Sequence, residues 1–243
     1  MTPIYEKPVR LLMKDMVAKI KLKPDEILQR EKVLQWFQEY YPKIKVGTLH
    51  AHLAKMSTNV PNRIHFKASP SGEDDLFYRI DPSHYRLYVP ANDPPPIYEK
   101  TEPPPPETED KVASEFAYEK DLQNFLSKNL SVIEPGLKLY EDEGINGIEF
   151  DVGGRYIDIL AIDKENNYVV IELKVSRGYD KVVGQILRYM AWIEKNQADS
   201  GQSVRGIIIA KGITDDLLLA TSRVNDIDLF EYELSVSLKK IGL

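Results

Sequence analysis

The chain has 243 residues, 42% hydrophobic and 29% charged, with 32 Lys+Arg against 38 Asp+Glu for a formal net charge of -6. That length suits two ordinary domains, and the charge argues against a uniformly basic nucleic-acid-binding chain. With no cysteine, disulfide scaffolds, Cys-ligated zinc and thiol catalysis are excluded. Met1–Lys7 has no basic stretch leading into an apolar one, and no apolar run approaches the ~18–20 residues of a membrane helix. A soluble, cytoplasmic protein is expected. The average charge hides an asymmetry: residues 1–90 carry +5 and all four histidines, residues 91–113 carry -4, and residues 114–243 carry -7.

Val9, Leu11, Leu12, Met16, Val17 and Ile20 have the spacing of one amphipathic helix. A second is expected from about Pro24 through Ile27, Leu28, Val33, Leu34, Trp36 and Phe37, ending at Pro42. Thr48 can cap a third, short helix with Leu49, Leu53 and Met56. Strand-like segments follow at 76–80 and 85–89. Three helices and then a two-stranded ribbon is the order of a winged helix-turn-helix, a small α+β domain over 1–90. In that arrangement the third helix enters the major groove and the wing touches phosphates. Thr48, His50, His52, Lys55, Ser57, Thr58, Asn59 and Arg63 would then face DNA. A protein-docking module with a solvated polar helix face is the alternative. His50 and His52 are two residues apart and point to different helix faces, which disfavours a zinc pair.

Eight of the 16 prolines fall between Pro90 and Pro106, so residues 91–113 read as a semi-rigid linker. The segment Pro-Ile-Tyr-Glu-Lys occurs at 3–7 and again at 96–100. Equivalent docking strands would explain it; because nothing around the copies repeats, coincidence or linker duplication is the simpler reading.

The second domain, 114–243, opens with a helix over roughly 114–129 in which Glu119 borders the apolar stripe of Phe116, Leu122, Phe125 and Leu126. Residues 155–163 and 168–175 read as two strands joined by the turn 164–167. Pairing Asp163 with Tyr168 sets Asp158 opposite Leu173, with Glu172 and Lys174 as its neighbours. The strands are otherwise apolar, so these charges need a reason. Asp and Glu brought together repel unless a proton or cation lies between them. Two carboxylates and a backbone carbonyl, that of Leu173, suit a hard divalent ion such as Mg2+, with Mn2+ as a substitute. Lys174 can orient the attacking water and offset phosphate charge. A buried Asp–Lys–Glu network that only holds the sheet is the bland alternative. The next helix, 182–193, stacks Gln185 and Tyr189 on one face, where they can hydrogen-bond phosphate or water. A strand at 204–210, a helix from Thr214 and a strand at 226–234 complete a mixed central sheet flanked by helices, an α/β fold.

Asp158, 13 intervening residues and then Glu172-Leu173-Lys174 resemble the PD-(D/E)XK nuclease core. Gln185-Ile186-Leu187-Arg188-Tyr189 is similar to the Gln-x-x-x-Tyr element of its RecB-like branch. Asn129-Leu130, Ile133-Glu134-Pro135-Gly136-Leu137, Arg155 to Ala161 and Val170 to Lys174 resemble the NucS-like endonuclease domain. The resemblance covers about 114–243. It implies a restriction-endonuclease-like fold and metal-dependent cleavage of DNA phosphodiesters, with Asp158 and Glu172 as metal ligands and Lys174 as the catalytic lysine. Glu119 matches the first-helix acid, Gln185 and Tyr189 the supporting pair, and Arg155 is a candidate DNA contact. The N-terminal half departs from NucS, which carries a β-rich DNA-binding and dimerisation domain. A reader fused to a nuclease is the arrangement of a restriction, defence or repair enzyme with its own target.

An Mg2+-dependent DNA endonuclease is therefore expected. A catalytically silent DNA-binding regulator on a nuclease-derived scaffold is the competing reading. A glycoside or peptide hydrolase would leave Lys174 without a role. Cutting two strands favours a homodimer, and with no glycine-rich phosphate loop no nucleotide cofactor is expected.

Overall fold

Val9, Leu12, Met13 and Met16 recur at helical spacing and are buried along one side of α1 (Val9–Ile20). A strand of two residues, β1 (Leu28–Gln29), precedes α2 (Arg30–Tyr40) and α3 (Val46–Lys55). A 3-10 turn at Pro61–Phe66 leads to the hairpin of β2 (Phe77–Asp81) and β3 (His84–Leu87). The sheet order is β1-β3-β2, with Leu28 opposite Tyr85. The strand β1 was not expected, because two residues leave no alternation to read. It moves the start of α2 from about Pro24 to Arg30. Thr48 lies inside α3, not at its cap. The computed structural model describes residues 4–99, 111–178 and 180–233 of the chain.

The second unit begins with α4 (Lys111–Lys128) and a 3-10 turn at Leu130–Val132. Four short strands follow: β4 (Lys138–Leu139), β5 (Glu141–Asp142), β6 (Ile145–Asn146) and β7 (Ile148–Asp151). The central hairpin is β8 (Tyr156–Ile162) and β9 (Tyr168–Gly178). Then come α5 (Lys181–Asn196), β10 (Val204–Ile213), α6 (Asp215–Thr221) and β11 (Ile227–Glu231). The main sheet runs β11-β10-β9-β8-β4, with β7 also on β8. Strands β9, β10 and β11 are parallel, while β8 is antiparallel to β9, β4 and β7. This is the expected mixed sheet between helices. Val169, Ile171 and Leu173 pack with Leu122 and Leu126 of α4, while Val170 and Leu160 pack with Ile186 and Ile193 of α5.

The hairpin register differs by one residue from the expected one: Ile162 pairs with Tyr168, and Ile159 with Ile171. Asp163 belongs to the turn. Its carboxylate accepts hydrogen bonds from the amides of Glu165 and Asn167, which shortens β8 by one residue. Continued one step, the register sets Asp158 opposite Glu172, not Leu173.

The two units share a core. Ala51, Ala54, Val60 and Phe66 of the first join Tyr140, Ile145, Phe150, Ile157 and Ile186 of the second in one buried cluster. The approach is close: a Cβ on Gly47 would lie 2.1 Å from Gln197 Oε1. Polar groups line the same interface. Thr48 donates to Asp142 at 3.3 Å, His50 Nδ1 lies 3.6 Å from Asp151, and Lys45 pairs with Asp199 at 2.8 Å.

This corrects the expected reading surface. Thr48, His50, His52 and Lys55 are all buried between the units, because α3 turns its polar side toward β6, β7 and α5. Ser57 donates to the Leu53 carbonyl and Thr58 to that of Phe77. Asn59 exchanges two hydrogen bonds with the Arg79 backbone. Arg63, fully buried, donates to the Lys55 carbonyl and to Asp75. Of the expected DNA contacts, Arg155 alone is exposed. His52 has no hydrogen-bond partner on either ring nitrogen, and burial, aided by Lys55 and Arg10, pushes its pKa down to about 3.

The linker is bound as far as it is described. Asp93 pairs with Arg86, the Ile97 amide donates to the Thr58 carbonyl, and the Tyr98 hydroxyl donates to Asp75. The proline run 103–106 lies outside the described residues. The two Pro-Ile-Tyr-Glu-Lys copies meet different partners: Tyr5 packs edge-on against Tyr41, whereas Tyr98 lies over Arg63. They are not equivalent docking strands. No helix among the described residues is long and apolar enough to cross a membrane.

Phe66→Ala should destabilise the chain by about 3–5 kcal/mol. Because Phe66 packs in the shared cluster, hydrogen exchange of β7 and β8 should speed up together with that of α3. Acceleration confined to the first unit would refute a common core.

Candidate active site

The β8–β9 pairing is recorded from Ile162↔Tyr168 to Ile159↔Ile171. Beyond it the Leu173 amide donates to Asp158 Oδ2 at 2.8 Å, a side chain standing in for a strand partner. The Asp158 carboxylate therefore sits at the end of the ladder, beside Glu172. From the other face, Gln123 of α4 donates to the Asp158 carbonyl at 2.9 Å.

Glu172 is completely buried. Its Oε2 accepts from Gln185 at 2.7 Å and lies 3.4 Å from the Lys174 ammonium. Gln185 also lies 3.3 Å from the Tyr189 hydroxyl, as expected for residues one helical turn apart. The other oxygen, Oε1, is buried with no hydrogen-bond partner. Lys174, Asp180, Lys181, Val182 and Gln185 line an open pocket of about 350 Å³ that leads to this group.

Burial raises the pKa of both carboxyl groups. At Glu172 the Asp158 charge adds to it, against the opposing effect of Lys174. At Asp158 the Lys174 charge and the Leu173 amide oppose it, and Glu119 and Glu149 reinforce it. Burial also disfavours the Lys174 ammonium, but Glu172, Asp158 and Glu119 outweigh it and hold the pKa above the ordinary lysine value. The neighbouring carboxylates thus favour the charged form of Lys174.

The structure thus gathers Asp158, Glu172, Lys174, Gln185 and Tyr189 into one group, with Glu119 within electrostatic reach. Arg155 stands apart on the turn before β8. Gln123 was missed, although its position four residues after Glu119 places both on one side of α4. Among the described residues no cluster of three or more His, Asp or Glu side chains forms a ready chelate. The donor set nonetheless fits a hard divalent cation. Glu172 Oε1, buried without a hydrogen-bond partner, and the Asp158 carboxylate beside it could each donate an oxygen to such an ion, and Mg2+ keeps several waters as ligands.

Residues 118–231 match the family model of the Endonuclease NucS C-terminal domain, and residues 8–87 match a domain of unknown function, DUF7669. Endonuclease NucS of Methanopyrus kandleri is 34% identical over 108 residues, which are 44% of this chain and 38% of that protein. Endonuclease NucS of Pyrococcus abyssi is 32% identical over 99 residues, 40% of this chain and 35% of that protein. The chain thus covers little more than a third of the curated relatives it matches. The crystal structure of a repair endonuclease from Pyrococcus abyssi superposes with a TM-score of 0.38 at 22% identity, covering 62% of this chain and 52% of that chain. So loose a superposition carries no weight here.

Because both carboxyl groups bind protons more tightly in the folded chain than in the unfolded one, their contribution to stability is fullest below the ordinary carboxylate range. It is lost as pH rises through the raised values. Glu172→Gln should therefore raise Tm by roughly a few degrees at pH 8 and by clearly less at pH 5. Scanning calorimetry at the two pH values tests this, and an equal shift at both would contradict it.

Proposed function

We propose, from the NucS-like domain that residues 118–231 form, that the chain is a divalent-metal-dependent endonuclease acting on DNA phosphodiesters. One observation carries the reading: Asp158 and the buried Glu172 lie side by side at the end of a two-strand ladder, with Lys174 and Gln185 both on one Glu172 oxygen and Tyr189 behind Gln185. The relatives' name, Endonuclease NucS, agrees with it.

Asp158, Glu172 and the Leu173 carbonyl would hold Mg2+, or Mn2+ in its place. When bound, the ion supplies Lewis acidity at a phosphoryl oxygen and lowers the pKa of water. The chain's own groups do the positioning. Gln185 fixes one Glu172 oxygen and leaves the other free for a ligand. The Leu173 amide and Gln123 fix Asp158 at its side chain and its carbonyl, so the carboxylates need little reorganisation. The Lys174 ammonium neutralises charge that builds on the phosphoryl oxygens during in-line attack. Tyr189, held by Gln185, steadies phosphate or water. Lys181 at the start of α5 lies in the pocket beside Lys174, where a helix N-terminus and a cation both favour an anion. Arg155 and Arg188, both exposed, are cations available to neighbouring phosphates. With α3 buried, duplex contact falls to exposed cations of the second unit such as these and not to the third helix.

Cleavage of plasmid, mismatched, flapped and single-stranded DNA in Mg2+ is the direct test. Asp158→Asn, Glu172→Gln and Lys174→Ala should each lower the rate by about 10³-fold or more. Gln185→Ala should lower it by roughly 10–100-fold, the range for a residue that orients a ligand. Wild-type rates in Lys174→Ala or Glu172→Gln protein would sink the proposal.

A further inference from the structure

Opposite Asp158, on β7, stands a third carboxylate. Ile148 pairs with Ile159 and Phe150 with Ile157, so the intervening register position sets Glu149 against Asp158. Glu149 has a φ of 47°, left-handed backbone that a residue other than glycine adopts at a cost and only where its surroundings impose it. The surroundings here come from the first unit. Asn62, 3% exposed, donates to the Glu149 carbonyl at 3.1 Å, and His65 Nε2 lies 4.0 Å from Glu149 Oε1. The 3-10 turn that bears both is itself fastened, since Asn146 donates to the His65 carbonyl at 2.5 Å.

Charge balance indicates what a carboxylate is for at this place. Asp158 and Glu172 bring two negative charges and Lys174 removes one, so a divalent cation bound between them would leave the group net positive. Glu119 on α4 and Glu149 beside Asp158 are both felt at Asp158, and both oppose that excess without being ligands. The Glu149 charge reaches Asp158, where it opposes ionisation. The same field favours a cation.

We propose that Glu149 is a positioning residue that strengthens divalent-cation binding at Asp158 and Glu172, and that the first unit holds it in place through Asn62 and His65. The inference rests on the nuclease reading above, but its test does not need cleavage. Mn2+ is titrated calorimetrically into the full chain without DNA. Glu149→Gln, which keeps the shape and removes the charge, should weaken binding roughly tenfold, and Glu149→Asp should recover most of it. Glu149→Gly accepts the positive φ, so it should fold at least as stably as wild type and still bind weakly. That separates charge from packing if the Gln variant folds poorly. Asn62→Ala should weaken binding with every carboxylate intact. Wild-type Mn2+ affinity in both Glu149→Gln and Glu149→Gly would overturn the inference while leaving the nuclease reading standing. A wild-type chain that binds no Mn2+ would overturn that reading, and the inference with it.

Discussion

The burial of α3 against the second unit is the constraint on which the other features depend. A helix carrying Thr48, His50, His52 and Lys55 is a poor candidate for an interior, since each desolvated polar group must find a partner. The apolar cluster from Ala51 and Phe66 to Phe150 and Ile186 supplies the attraction. The polar pairs decide where the surfaces meet. Asp142, Asp151 and Asp199 of the acidic unit receive Thr48, His50 and Lys45 of the basic one. Among these three pairs, the opposite charges of the two halves meet at Lys45 and Asp199. His52, neutral and without a hydrogen-bond partner, shows that the match is incomplete.

The carboxylate pair depends on a second local exception. Along most of their length β8 and β9 are apolar on both faces, as strands covered by helices on each side must be. Only at the end of the ladder does a side chain replace the backbone as partner, and there an acid can be buried without breaking a continuous sheet. The cost appears as two carboxyl groups that hold their protons too tightly. Gln185 and Lys174 offset part of it and leave one Glu172 oxygen vacant. A site that was satisfied in every hydrogen bond would be more stable.

Much of this was legible in the residues. Strand alternation placed Asp158, Glu172 and Lys174 together, and the helical interval joined Gln185 to Tyr189, because both depend on local periodicity. The register slipped by one because Asp163 looked like the end of a strand, while its carboxylate in fact organises the turn. The role of α3 was hidden for a different reason. Its partners, Asp142 and Asp151, lie about 100 residues further on, and a polar face that will be covered reads the same as one that will stay wet. Glu149 was invisible on similar grounds, since a positive φ on a glutamate has no sequence signature.

These features together change what the first unit can do for the second. A tethered reader that swings on a proline linker would act by bringing substrate close. Here the segment after Pro90 is pinned at Asp93, Ile97 and Tyr98, and the third helix is committed to the interface. Such a unit acts by holding. Its 3-10 turn grips β7 at Asn62 and His65, β7 lies against β8, and β8 carries Asp158, so the path from the first unit to the carboxylates is short and made of strand backbone. Packed backbone transmits position well because it has few alternatives. On this arrangement, substitutions at the α3 interface reach the carboxylates through the backbone of β7 and β8.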